Sequence, residues 1–297
     1  MAATNRDHHR MMYFGTPGAM TWVPCPQVDR PSSIQNWVEE TPLLNGGLHV
    51  RRSFGGHRVF EMTWSGISPE QAQVLEGYYA GSYGDGLIYW NDPMSRDKNV
   101  LPTWFSTPAL GAKGAPPLGV GGAKPLLSTA PPTSKQGLPP LIADFDITAN
   151  EGRRVWLPVP DDHDAWLYWR GYSTGGVGLV VGEASADHST MISRLGIVPQ
   201  DPTGVQTVAF TQFSPATRNG IFLAFGSQTA LASGTASVLD VGVQILPLGR
   251  DPDPVDATIP GMGAGGCIVT EFEKTDRSAA FGKVNVTMVL KEVGPWR

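Results

Sequence analysis

The segment "GKVNVTMVLKEV", residues 282–293, constrains the fold more than any other. Val284, Val286, Met288 and Leu290 alternate with Lys283, Asn285 and Thr287. A period of two belongs to a strand with one buried face. "CIVTEFEK", residues 267–274, precedes it as a partner strand. A ribbon of two strands is marginal in water by itself. This pair must therefore join a sheet built elsewhere in the chain.

Residues 12–105 offer such a sheet, since short strand patterns alternate there with turns. "LHVRRSFGGHRVFEMTW", residues 48–64, reads as two strands around a Gly55-Gly56 hairpin turn. In the second of them Phe60, Met62 and Trp64 share one face, and Val59, Glu61 and Thr63 share the other. A helix follows, expected over about residues 69–80. Ser68 caps it, Pro69 stands at its first position, and Gln71 completes a capping box. Ala72, Leu75, Tyr78 and Tyr79 recur at helical spacing and form its apolar face. Gly81 ends the helix, "SYGDG" turns, and "LIYW" returns as a strand. The aromatics of "YYAGSYGDGLIYWNDP", residues 78–93, then hold the helix on the sheet through Tyr78, Tyr79, Leu87, Tyr89 and Trp90.

Two stretches rich in proline and glycine, 106–142 and 249–266, lack periodicity and read as linkers. Between them, residues 143–248 carry six strand candidates and no helix signal, a spacing that suits a sandwich or jelly roll. The economical reading is an insertion. Residues 1–142 and 249–297 form one β domain with a single helix, and 143–248 form an inserted β-sandwich. The rival reading joins the C-terminal ribbon to the middle domain instead.

Composition narrows the function. The 297 residues carry a formal charge of −5, with no basic stripe, so nucleic acid is not an expected partner. The two cysteines, Cys25 and Cys267, cannot build a disulfide framework or a cysteine zinc site. No run approaches the roughly 20 apolar residues of a membrane helix, and the polar start lacks a signal-peptide core. Synthesis and folding in a reducing cytoplasm are expected. The six histidines show no metal-ligand spacing. "PVPDDHDAW" gathers Asp161, Asp162, His163 and Asp164, but not at the spacing of a calcium loop. No nucleophile elbow or phosphate cradle is present. Neither a catalytic residue, a cofactor nor a metal site is expected.

One strand invites a binding role. In "DAWLYWRGY", Trp166, Tyr168 and Arg170 share a face, with Leu167 and Trp169 on the other. Aromatic faces beside an arginine suit sugar rings, and they equally suit sandwich packing.

The segments "YFGTPGAMTWVPCP", "LNGGLHVRRSFGGHRVFEMTW", "QAQVLEGYYAGSYGDGLIYWNDPMSRDKNVLPTWFSTP" and "CIVTEFEKTDRSAAFGKVNVTMVLKEVGPW", in that order, resemble minor tail proteins of long-tailed, siphovirus-type phages of actinobacteria. That group is similar to the distal tail proteins. The resemblance covers residues of about 12–108 and 265–297, and Lys291 departs from it. It implies a tail-tube-like β-barrel or sandwich domain with one helix that forms a ring, a homohexamer, at the virion tail tip. It also implies an outward sandwich, galectin-like or carbohydrate-module-like. The implied partners are further copies of the chain, the tail tube protein, and tail hub or fibre proteins. Host cell-wall glycan is the alternative partner, gripped through Trp166, Tyr168 and Arg170.

Overall fold

The computed structural model describes residues 10–27, 32–35, 38–42, 48–52, 57–84, 86–106, 124–126, 141–146, 154–173, 177–184, 191–197, 207–213, 220–227, 233–257, 259, 261–278 and 282–293. The protein is mainly β. Its first part holds β1 (Met11–Thr16), β2 (Ala19–Pro24), β3 (Ser32–Gln35), β4 (Val38–Pro42), β5 (Leu48–Arg52), β6 (His57–Ile67), helix α1 (Pro69–Tyr79) and β7 (Tyr89–Asn91). Two single helical turns follow, α2 (Pro93–Arg96) and α3 (Thr103–Ser106). The middle part holds β8 (Lys124–Leu126), β9 (Leu141–Asp146), β10 (Arg154–Pro158), β11 (His163–Ser173), β12 (Val177–Ala184), β13 (Met191–Ile197), β14 (Thr207–Phe213), β15 (Gly220–Ser227) and β16 (Ser233–Pro247). A last turn, α4 (Pro254–Ala257), precedes β17 (Cys267–Ser278) and β18 (Lys283–Glu292).

The C-terminal ribbon meets its sheet at β6. The strand order is β17-β18-β6-β3. Leu290 stands opposite Phe60, Met288 opposite Met62 and Val286 opposite Trp64. The two period-2 patterns are thus in phase, and a slip of one residue would turn either face outward. Met62, Trp64, Val286, Met288 and Leu290 are buried in one core with Met12 and Phe14 from the neighbouring sheet β2-β1-β7. The Trp64 indole also donates to the Pro24 carbonyl at 2.7 Å, so this large ring is buried with its polar atom satisfied.

Helix α1 closes that core. Its capping box is present: the Gln71 amide N–H donates to the Ser68 hydroxyl at 3.3 Å, and the Ser68 N–H donates to the Gln71 side chain at 3.0 Å. Ala72, Leu75 and Tyr78 are its buried residues. The Tyr78 ring stands edge-on to Phe14 at 5.4 Å, and its hydroxyl donates to the Ala19 carbonyl.

Several expectations need revision. Tyr79 is not on the buried face; it is 49% exposed and stacks on Phe272 at 5.4 Å. Helical spacing set it beside Tyr78, but one further residue rotates it 100° off the core stripe. Tyr89 leaves the helix for the middle part and meets Trp156 at 4.8 Å. Gly55 and Gly56, expected as a hairpin turn, lie outside the described residues; β5 pairs with β4, and β6 pairs with β18 and β3.

The middle part consists of two antiparallel sheets, ordered β10-β15-β12-β13 and β14-β11-β16-β9-β8. Leu157, Val181, Ile221 and Leu223 from the first share one core with Ala165, Leu167, Val241, Val243 and Ile245 from the second. β8, β9 and β13 go beyond the six expected strands, and β8 falls inside a stretch expected to be linker. Most of that stretch, 107–123 and 127–140, lies outside the described residues.

Two predictions follow from the docking of α1. Leu75→Ala should lower stability by about 2–5 kcal/mol, and Ser68→Ala by about 1 kcal/mol, measured by urea denaturation. The second concerns alkaline pH. Burial, and next the neighbouring Tyr83, push the Tyr78 hydroxyl up to about 12 from its usual 10.0. The fold therefore favours the neutral phenol. That contribution is complete below pH 10 and fades as pH rises toward about 12. Tyr78→Phe should lose stability at neutral pH and show a shallower decline across that window.

Candidate functional site

The two chain connections between the first and middle parts, residues 97–106 and 248–266, are where the sequence reading and the structure differ most. The second stretch was expected to be a linker. Instead it lies against the first in extended contact. Met262 N–H donates to the Asn99 carbonyl at 2.8 Å, Gly263 N–H to the Leu101 carbonyl at 3.1 Å, and Gly261 N–H to the Ser106 hydroxyl at 2.7 Å. The glycines serve close approach here. A Cβ on Gly263 would run into the Val100 carbonyl, and one on Gly261 into the Leu101 carbonyl.

Asn99 joins these strands to the middle part, with no solvent exposure. Its Nδ2 donates to the Ile259 carbonyl at 2.9 Å and the Val241 carbonyl at 3.3 Å. Its Oδ1 accepts from Leu101 N–H and Val243 N–H, both at 3.2 Å. Alongside, Val100 N–H donates to the Val243 carbonyl at 2.9 Å, and Gln244 Nε2 to the Asp97 carbonyl at 2.8 Å. Val100, Leu101 and Phe105 then enter the sandwich core itself. The segment 143–248 does not hold the whole of its own core.

The same ribbon is tied back to the C-terminal strand. Arg58 grips Glu292 with both Nε and Nη2 at 2.9 Å and gives Nη2 to the Gly263 carbonyl at 2.8 Å. Glu292 also accepts from Gly265 N–H at 2.7 Å. Buried Cys267 lies next to this pair. Burial, then the Glu292 charge, drive its thiol well above the ordinary range, while Arg58 pulls the other way. Neither Cys25 nor Cys267 is in a disulfide.

A second contact region is aromatic. Trp156 and Phe222 of the sandwich meet Met20 and Tyr89, and Asn91 Nδ2 donates to the Pro158 carbonyl at 2.7 Å. Trp22, on the same strand as Met20, gathers a further set of groups. Tyr13 is 5.0 Å from it, His163 is 5.9 Å away, and the buried Arg96 guanidinium sits 5.2 Å over its ring. Burial lowers the arginine pKa, opposed by Asp97, Cys25, Asp162 and Asp92. Burial first, and then Asp161, hold the Tyr13 hydroxyl far above its usual value. The loop expected to be solvated therefore closes an interface: His163 is buried, with Nδ1 2.8 Å from the Asp162 carboxylate.

The residues considered for glycan binding sit on β11 as expected by period, but not as an open platform. Leu167 faces the sandwich core. On the opposite face Trp166 is half-buried and Tyr168 only 1% exposed. Arg170 pairs with Val208 and Asp240 through the backbone, and its side chain lies outside the described residues. Neighbouring Asp164, Gln244 and Leu246 are buried too, so this part of the outer face is covered. Strand alternation gave the right faces; the burial of Tyr168 had no local signal. Among the described residues no three His, Cys, Asp or Glu side chains are placed to hold a metal. No described helix is long and apolar enough to cross a membrane. His8, His9 and His188 lie outside the described residues, as do the side chains of His49 and His57.

Asn99→Ala should cost about 3 kcal/mol or more, because it strips partners from several buried backbone groups at once. The loss should be visible in urea denaturation of the full chain. It should also split a single transition into two, monitored by tryptophan fluorescence and circular dichroism. No protein-family model matches the chain, and no curated protein matches it.

Proposed function

We propose that the protein is a structural component of a phage tail tip, a distal or minor tail protein. In this reading it forms a ring, of six copies by the resemblance, between the tail tube and the hub or fibre proteins. Residues 1–142 and 249–297 supply the ring domain. The sandwich faces outward as a spacer and docking surface in host adsorption. The protein is made in the host cytoplasm and resides in the virion. Its function then lies in interfaces, and the reading calls for no catalytic group, cofactor or metal.

The observation that supports this best is the junction. The first part of the chain and the sandwich are joined by the Asn99 bonds, by Val100, Leu101 and Phe105 in the sandwich core, and by the Trp22 cluster. Such a joint suits a part that must pass force or orientation from an outer appendage to a ring. An enzyme with a mobile lid would call for looser coupling.

The test is native mass spectrometry and negative-stain imaging of the purified chain, alone and with the tail tube protein. Closed rings that cap tube ends are expected. A chain that stays monomeric at tens of micromolar (a concentration at which standard-size interfaces assemble) and does not bind tubes overturns the reading.

A further inference from the structure

Strand β17 is an outer edge of the sheet β17-β18-β6-β3 and is 12 residues long. Its first residue, Cys267, is bridged to Ile88; each N–H donates to the other's carbonyl at 2.8 Å. Beyond that bridge its outer side carries no strand among the described residues. In an antiparallel ladder alternate residues turn their N–H and C=O away from the partner strand. Residues 268–275 therefore present a row of backbone donors and acceptors to solvent, a template for a further strand.

The register against β18 sorts the side chains of this edge. Phe272 stands opposite Met288 and Lys274 opposite Val286, on the face that packs against α1. Phe272 stacks on the half-exposed Tyr79 at 5.4 Å, and Lys274 pairs with Glu76 at 3.0 Å, both on α1. Glu271 stands opposite Val289 and Glu273 opposite Thr287, on the other face. Both acids are exposed, and neither is ion-paired to another described side chain. The edge thus has an aromatic surface on one side and two unneutralised carboxylates on the other.

That combination selects the partner. Charges on an edge strand guard it against pairing with its own kind. Two copies of β17 joined about a two-fold axis match residues of the same face. Centred on Phe272, such a pairing sets Glu271 against Glu273; centred on either acid, it sets that acid against itself. Like charges directly opposite are destabilising, whereas opposite charges stabilise a cross-strand pair. A strand with lysine or arginine at alternate positions meets the two acids favourably, and its intervening apolar residues face Phe272 and Tyr79. We propose that the free edge of β17 takes up an extended, basic segment of another protein by strand addition. Its cationic side chains lie on Glu271 and Glu273, and its apolar side chains lie toward α1. The partner is not a copy of this chain, so ring formation is not required.

The experiment uses the full chain and a fluorescent peptide of alternating lysine and valine, followed by anisotropy. As a strand, that peptide carries every lysine on one face and every valine on the other. It should bind, and its glutamate–valine counterpart should bind about tenfold more weakly or worse. In E271K/E273K the preference should reverse, with circular dichroism checking that the variant is folded. Hydrogen–deuterium exchange should slow at residues 268–275 when the lysine peptide is bound. Methylating the peptide's backbone nitrogens, which leaves its charge unchanged, should abolish binding. The exchange and methylation arms use the unaltered chain, so they decide the outcome should the double variant fail to fold. The proposal is overturned by a lysine peptide that fails to bind at up to about 1 mM or binds E271K/E273K equally well. Protection confined to a segment other than 268–275, or undiminished binding after methylation, overturns it too.

Discussion

One buried side-chain amide organises the molecule. Asn99 bonds to residue 259 on one side, to β16 on another and to its own neighbour Leu101. Each partner is a backbone group removed from water, where an unmet donor or acceptor is costly. The side chain has two donor hydrogens and two acceptor lone pairs, and all four are in use. An aspartate would lack the donors and a leucine would lack both. Satisfying these groups forces the two chain connections together, and this draws Val100, Leu101 and Phe105 into the sandwich core.

What was legible in the sequence was whatever rested on local pattern. The phase of Val284, Val286, Met288 and Leu290 announced a half-buried strand, and the Ser68 and Gln71 pair announced where α1 begins. Both follow from bonding within a few residues. That the C-terminal ribbon joins a sheet was argued from the instability of an isolated ribbon; that its neighbour is β6, and in what register, came from the fold.

The rest was illegible because the deciding partners are distant. Glycines 261 and 263 read as flexible linker, yet they are needed where one backbone passes close over another. Sequence gives a glycine's freedom but not its neighbour. The same holds for Tyr168. Alternation placed it with Trp166, but the burial of Tyr168 depends on contacts from beyond its own strand. His163 and its aspartates look like a hydrated loop until Trp22 and Arg96 arrive from the first part of the chain.

The pairing of β6 with β18 has a consequence in time. Arg58 and Glu292 are 234 residues apart in sequence and adjacent in space. A contact of that span is slow to find and cannot form until β18 has been made. During synthesis, at roughly 5–20 residues per second, β6 stays without its central neighbour for about ten seconds or more. The middle strands, closer together in sequence, are free to organise first. The β17-β18-β6-β3 sheet therefore matures only after β18 has left the ribosome, and until then the middle strands fold beside an unfinished neighbour.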